Sequence, residues 1–192
     1  TYKAAMQWAV QQGDLAEADL GDCKLRQPHE NRIRYLSKEE LRELLEEAGE
    51  SDWPWLQRPI ALGAYQGLRR REVCQLKGRD LDGQQHSLTV GRSKNKKIRT
   101  IQLHPQVPPY LPQPLPPDDK PVCRNASGNR VKCDWLTHAF GKLRDQLAEE
   151  TPSWQDVSFH TLRHTCASQM AMSGNYTLNE IALFLGHSNI ET

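Results

Sequence analysis

The sequence has no long apolar run and no cysteine-pair motif, and these absences exclude several classes of protein. No stretch approaches the roughly 18 consecutive apolar residues of a membrane-spanning helix. The five cysteines are odd in number and form no CxxC pair, so a disulfide framework is not expected. The start, Thr1-Tyr2-Lys3, lacks the pattern of a signal peptide and resembles a cut inside a helix. We expect reduced thiols and a cytoplasmic, nucleoid-associated protein.

Metal-binding patterns are also scarce. His160 and His164 lie four residues apart, a spacing that could place two ligands on one helix face, but no glutamate of the HExxH type stands between them. A zinc protein is therefore the weakest interpretation. We expect neither a metal nor a cofactor.

Excess positive charge is missing overall, since the net charge is +1, but the charges are unevenly distributed. Seven acidic residues and one arginine lie between Glu39 and Asp52. Ten basic residues and three acidic ones lie between Arg69 and Arg99. The basic region could bind phosphates, although a charge run can equally be a solvated face.

The apolar pattern predicts an α+β, mostly helical domain. Ser37 and Glu40 form a capping box, with Leu36 and Leu41 as a hydrophobic staple, so a helix should begin at position 38. Further helices are expected over 54–65, 70–76, 134–148, 161–172 and 177–185, several of them bounded by glycine.

A small antiparallel sheet is the one β element expected. Residues 87–91 and 98–103 alternate like strands, so the sequence predicts a β-hairpin over about 87–103. Eight prolines between Pro105 and Pro121 exclude helix and central strand there, and an extended surface connection is expected.

Four short stretches carry side chains suited to phosphate chemistry. They are Gly67 to Val73 (GLRRREV), Ser93 to Lys97 (SKNKK), His160 to His164 (HTLRH) and Leu185 to Ser188 (LGHS). An arginine fork can bind a phosphate through two hydrogen bonds, and a histidine three residues from an arginine shares its helix face. Glu72 lies three residues after Arg69 and could hold that arginine by an ion pair. Each stretch alone could be an ordinary surface feature, and the residues alone do not decide between the hairpin lysines.

In this order and at these separations, the four stretches resemble the catalytic domain of the tyrosine recombinases, the phage-integrase class. The likeness covers about residues 32–192 and is strongest in the segment HTLRHTCASQMAMSGNYTLNEIALFLGHSNIET. It implies that residues 1–31 are a remnant of a core-binding domain helix with the interdomain linker, and that 32–192 are the catalytic domain.

The resemblance also implies roles for individual residues. The catalytic positions of the family match Arg69, Lys94, His160, Arg163 and His187, and the supporting acid matches Glu72. Two arginines and two histidines would hold the scissile phosphate, and the lysine would protonate the departing 5′-hydroxyl. Further contacts to DNA are expected from the remaining basic residues, Arg70, Arg92, Lys96, Lys97 and Arg99.

The nucleophile is a departure from the pattern. The family places its tyrosine about nine residues after the last histidine, which is about four residues beyond Thr192. None of the five tyrosines stands in that context: Tyr2, Tyr35, Tyr65, Tyr110 and Tyr176. The chain is therefore expected to bind DNA without cleaving it.

The resemblance implies site-specific recombination through a 3′-phosphotyrosyl intermediate, by a tetramer on paired double-stranded DNA sites. The fragment itself is expected to be a monomer from a bacterial or phage-encoded protein. Two alternatives remain: a type IB topoisomerase-like enzyme, and a non-catalytic DNA-binding relative. The sequence does not identify the DNA site or the biological role.

Overall fold

The structure of the protein, a computed structural model, describes residues 34–91 and 98–186. Within these ranges the helices are α1 (Lys38–Glu50), α2 (Gln57–Gln66), α3 (Arg70–Gln75), α4 (Cys133–Glu150), α5 (Phe159–Met172) and α6 (Leu178–Leu185). The strands are β1 (Leu81–Asp82), β2 (Ser87–Val90) and β3 (Arg99–Gln102). The predicted α+β, mostly helical class is confirmed. The predicted remnant over 1–31 lies outside the described residues.

Helix α1 begins where the capping box predicts. The Ser37 side chain accepts a hydrogen bond from the Glu40 backbone, and the Glu40 carboxylate accepts one from the Ser37 backbone. Leu36 and Leu41, the residues of the predicted staple, are both 1% exposed. The acidic residues of α1 occupy its outer side because the apolar face is buried.

The predicted hairpin is present as strands β2 and β3, which pair antiparallel with Leu88 opposite Ile101. A third strand, β1, pairs with β2 on the other side and was not predicted. Its two residues are too few to produce an alternating pattern. Residues 92–97 lie outside the described ranges, and with them the candidate residues Arg92, Lys94, Lys96 and Lys97.

The proline-rich segment contains neither α-helix nor central strand, as predicted, but it packs more closely than a surface connection. Val107 is fully buried, and Arg58 of α2 donates hydrogen bonds to the carbonyls of Tyr110 (2.7 Å) and Val122 (3.1 Å). The apolar residues between the prolines therefore join the core, and the backbone carbonyls that cannot pair in a sheet find a side-chain donor.

Helices α2 and α5 pack against each other at the centre of the fold. Both helices contribute fully buried apolar side chains to the core, for example Ile60 and Leu62 of α2 and Leu162 of α5, and Gly63 brings α2 close to Leu162. This pairing brings the end of α2 next to the first turns of α5, where the candidate residues lie. No helix in the described part of the chain has the length and apolar character to span a membrane.

Candidate active site

The first arginine of the site is held at the start of α3. Arg69 is the N-cap of this helix, and its backbone N–H donates to the Glu72 carboxylate over 2.8 Å. The Arg69 guanidinium also contacts that carboxylate, with Nη1 3.2 Å from Oε1. The ion pair expected from the three-residue spacing is therefore present. The Arg69 side chain remains 42% exposed, which leaves its guanidinium accessible.

The second arginine, Arg163, is buried on α5 and bound by backbone oxygens. Its Nη1 donates to the Gly67 carbonyl and its Nη2 to the Leu185 carbonyl, both over 2.7 Å. Burial first, and then the nearby charge of Arg69, lowers the pKa of Arg163 to about 10. The guanidinium therefore stays cationic at neutral pH.

The two arginines converge on the C-terminal end of α6. Arg163 binds the Leu185 carbonyl, and Arg69 Nη2 donates to the Gly186 carbonyl over 3.1 Å. Free carbonyls at a helix end favour cations. Gly186 ends the helix in the left-handed conformation with φ of 71°. The arginines of α3 and α5 are thus fixed to consecutive residues of one helix terminus.

Gly67 allows this convergence. Its φ of 60° is left-handed, and a Cβ atom placed there would lie 2.3 Å from Leu185 Cδ2. Any side chain would therefore force the Leu185 side chain at the end of α6 to move while straining the backbone. The glycine keeps its own carbonyl within reach of Arg163.

Arg99 is a third arginine in the cluster, and its contacts were not predicted. Its Nη1 and Nη2 each lie 3.1 Å from one oxygen of the Glu72 carboxylate, as a two-bond ion pair. Its side chain is 12% exposed, whereas the sequence assigned it to DNA contact. The alternation of the strand could have indicated this burial, because Arg99 lies on the same strand face as the buried Ile101.

Glu72 is ionised within this cluster. Burial alone would raise the pKa of its carboxyl, but the hydrogen bonds from Arg99 and from the Arg69 backbone, with the charges of both arginines, outweigh burial. The pKa of Glu72 therefore lies below its ordinary value. One carboxylate is shared by two guanidinium groups.

His160 lies on the same helix as Arg163, three residues earlier, and is exposed. Its ring meets His164 edge-on, with centroids 4.6 Å apart. Helix α5 begins at Phe159, two residues before the predicted start, because Thr161 completes a capping arrangement with Ser158. The structure thus places His160 in the helix that carries Arg163.

One further candidate lies at the surface, and two others lie outside the described residues. Arg70 is exposed on α3 and donates a hydrogen bond to Thr137 on α4. His187, the residue after Gly186, lies outside the described ranges, as does Lys94. In the residues that the structure describes, no group of three His, Cys, Asp or Glu side chains could hold a metal ion.

This arrangement suits an anion. Among the described residues of this cluster, Arg69, Arg99 and Arg163 bring three positive charges to the negative charge of Glu72. Arg163 and the second bond of Arg69 use backbone carbonyls, which hold a guanidinium without neutralising it. The uncompensated charge favours a phosphodiester, and favours more strongly a transition state in which the phosphate gains negative charge.

Comparison with known proteins identifies the family of this chain. The family model described as the phage integrase family matches residues 34–192. A tyrosine recombinase of Thermosipho africanus is 26% identical over 158 residues, which cover 82% of this chain and 54% of the relative. The chain spans about half the length of the curated relatives it matches, for example 40% and 54% of two of them.

Solved structures share the fold. The catalytic domain of bacteriophage HP1 integrase matches with a TM-score of 0.61 and 25% identity, over 82% of this chain and 83% of that one. A lambda integrase tetramer bound to a Holliday junction matches with a TM-score of 0.60 and 17% identity, over 98% of this chain and 56% of that one. The match of the family model over most of the chain decides the assignment: the chain belongs to the phage integrase family.

Proposed function

We propose that this chain is the catalytic part of a tyrosine-type site-specific DNA recombinase. The observation that carries the proposal is the anchoring of Arg69 and Arg163 on consecutive carbonyls at the end of α6, with net positive charge left for a phosphate. Such fixed donors stabilise developing charge without rearranging during the reaction.

In the proposed reaction a tyrosine hydroxyl loses its proton to water, and its oxygen attacks the phosphorus of one DNA strand. The bond from phosphorus to the 5′-oxygen breaks, and Lys94 gives a proton to that oxygen. Arg69 and Arg163 stabilise the charge on the non-bridging oxygens, and His160 and His187 add hydrogen bonds. The strand remains joined to the protein as a 3′-phosphotyrosyl ester, so rejoining needs no ATP.

We propose that the nucleophile is a tyrosine about four residues beyond Thr192. Two tyrosines that the structure describes lie in other surroundings. Tyr65 stacks on His104 with ring centroids 5.1 Å apart, and Tyr176 lies exposed before α6. The 192-residue chain should therefore bind DNA and form no covalent adduct.

The proposed partner is double-stranded DNA, contacted by Arg70 and the basic residues of 92–97. We propose that the full-length protein acts as a tetramer on paired sites, in the cytoplasm of a bacterium, and that the 192-residue chain is a monomer. In this proposal residues 1–31 belong to the preceding core-binding domain. Support for DNA comes from the lambda integrase assembly on a Holliday junction.

The test compares the 192-residue chain with a version extended through a tyrosine at about position 196. Each is incubated with a pool of nicked duplexes of random sequence, and covalent protein–DNA adduct is measured on denaturing gels. Only the extended protein should form adduct. Adduct from the 192-residue chain, or from an extended version whose new tyrosine is phenylalanine, would refute the assigned nucleophile.

The same proteins separate the two alternatives. A type IB topoisomerase-like enzyme would relax supercoiled plasmid without a paired site, whereas the proposed recombinase should not. A non-catalytic DNA-binding relative would form no adduct in either version while still binding duplex DNA.

A further inference from the structure

Arg99 is the basic residue of the predicted hairpin whose contacts the structure describes. It lies at the start of β3 and binds both oxygens of Glu72 at 3.1 Å. Paired bonds between a guanidinium and a carboxylate fix the relative orientation of both groups. Arg99 therefore fixes the orientation of the carboxylate that Arg69 also uses.

We propose that Arg99 is a positioning residue for the phosphate site: it fixes Glu72, which fixes Arg69, and does not itself contact DNA. This proposal deepens the proposed function and rests on it. It replaces the direct DNA contact that the sequence suggested for this residue.

The partner of Arg99 favours positioning over direct contact, because both Nη groups of Arg99 bind a carboxylate, whereas those of the buried Arg163 bind neutral carbonyls. The side chain of Arg99 is 12% exposed and that of Glu72 is 11% exposed, whereas the side chain of Arg69 is 42% exposed. A phosphate arriving from solvent therefore meets Arg69 before Arg99. In the described part of the chain the buried Arg99 Nε has no hydrogen-bond partner.

Arg99 also packs against the end of α6. A Cβ atom built on Gly186 would lie 2.6 Å from Arg99 Nη1, so this guanidinium lies directly against Gly186. The Gly186 carbonyl accepts the second hydrogen bond of Arg69. Arg99 thus touches both groups that hold Arg69, namely the Glu72 carboxylate and the residue that supplies the carbonyl.

The first experiment asks whether Arg99 contacts DNA. Binding of the 192-residue chain to a random-sequence duplex is measured over a range of salt concentrations, for the parent, Arg99→Gln and Arg42→Gln. Arg42 is the matched control, because its side chain is 73% exposed and pairs only loosely, at 4.0 Å, with Glu46. The plot of log K against log salt falls with a negative slope, and loss of one phosphate contact makes that slope less steep by about 0.9. A positioning role predicts that both variants keep the slope of the parent. A slope that is less steep by about 0.9 for Arg99→Gln alone would overturn the proposal.

The second experiment follows the Arg69 guanidinium directly by NMR, through the order of its Nε–H group in the 192-residue chain. Arg99→Gln should make this group more mobile, and Arg42→Gln should not. Arg99→Lys, which keeps the charge and loses the two-bond geometry, gives an intermediate result and serves as the folded variant if Arg99→Gln unfolds. Unchanged Arg69 order in both Arg99 variants would contradict the proposal.

The third experiment measures single-turnover adduct formation in the tyrosine-bearing protein. Misplacing a catalytic group by about 1 Å can cost roughly 100-fold in rate, so Arg99→Gln should lose about that much and Arg99→Lys should recover part of it. In Arg99→Gln the fall in the rate of adduct formation at acid pH should also begin at a higher pH, because Glu72 loses a partner that keeps it ionised. The charged groups that would still face Glu72 are Arg69 and Arg163.

The outcomes separate this proposal from the proposed function. If the parent forms no adduct, the function fails, while the NMR result still decides whether Arg99 positions Arg69. If the parent forms adduct and the Arg99→Gln rate and pH profile equal those of the parent, the function stands and the positioning role is refuted.

Discussion

At the scale of single residues, backbone oxygens hold two arginines without removing their charge. Arg163 binds the carbonyls of Gly67 and Leu185, and Arg69 binds that of Gly186. Carboxylate partners in the same places would have neutralised the site. The carboxylate of Glu72 is shared between Arg69 and Arg99, so the described part of the cluster remains positive.

The two bonds of Arg163 predict a stability effect that its charge alone would not. Arg163→Lys should lower the free energy of unfolding by about 1–3 kcal/mol, because one ammonium cannot reach both carbonyls and one buried acceptor loses its partner. Denaturant unfolding measures the effect. Arg144→Lys is the control, because Arg144 is partly exposed and binds the carboxylate of its exposed neighbour Asp145. Equal stabilities of the two variants would contradict the assigned role of the carbonyls.

Glu72 predicts a pH dependence of stability. Its pKa in the folded protein is lowered from the ordinary 4.5, so its ionised form stabilises the fold at neutral pH. That contribution is complete above the unfolded pKa and is lost as the pH falls through the lower, folded pKa. The stability difference between the parent and Glu72→Gln should therefore be constant near neutrality and shrink below about pH 4.5. Denaturant unfolding of both proteins across this pH range measures the difference, and a flat difference for Glu72→Gln would contradict the account.

The sequence was sufficient to predict the Arg69–Glu72 pair, because the two residues lie three apart at a helix start. It could not predict that Arg99 binds Glu72 across 27 residues, nor that Arg163 binds Gly67 across 96. Such contacts depend on how α2, α5 and β3 pack, and a linear pattern does not contain that packing.

At the scale of elements, the predicted boundaries were best where a side chain or a glycine fixes them. Ser37 and Thr177 begin α1 and α6 through capping boxes, and Gly67 and Gly186 end α2 and α6 in the left-handed conformation. The short elements were missed. Strand β1 and the 3₁₀ turn at Pro152–Asp156 are too brief to show a period, and packing decides them.

Gly67 gives the element-scale prediction. Gly67→Ala should cost more than the ordinary penalty of roughly 1–2 kcal/mol for a left-handed alanine, because its Cβ would meet Leu185 at 2.3 Å. Gly128→Ala is the matched control, since Gly128 has a φ of 76° and a Cβ atom added there would meet nothing within 4 Å. Thermal unfolding should show a larger loss at Gly67. Equal losses would mean that α6 moves freely to accommodate the methyl group.

At the scale of the whole molecule, the acidic and basic stretches of the sequence take different places in the fold. The acidic residues of α1 lie on its solvent side, while the arginines of α3, α5 and β3 form one cluster. The near-neutral net charge therefore conceals a local anion site. The order of four short motifs was enough to predict the family and the fold class. The DNA site and the assembly on it depend on surfaces and domains that these motifs do not specify.

The most direct test of the central claim separates binding from catalysis at Arg163. Arg163→Ala is made in the tyrosine-bearing protein, and duplex affinity and the rate of covalent adduct formation are measured on the same DNA. A group that stabilises the transition state should cost roughly 100- to 1,000-fold in rate when removed, while affinity changes only a few-fold. If affinity and rate fall by the same factor, Arg163 is mainly a binding residue and the proposed phosphate-activating site is wrong.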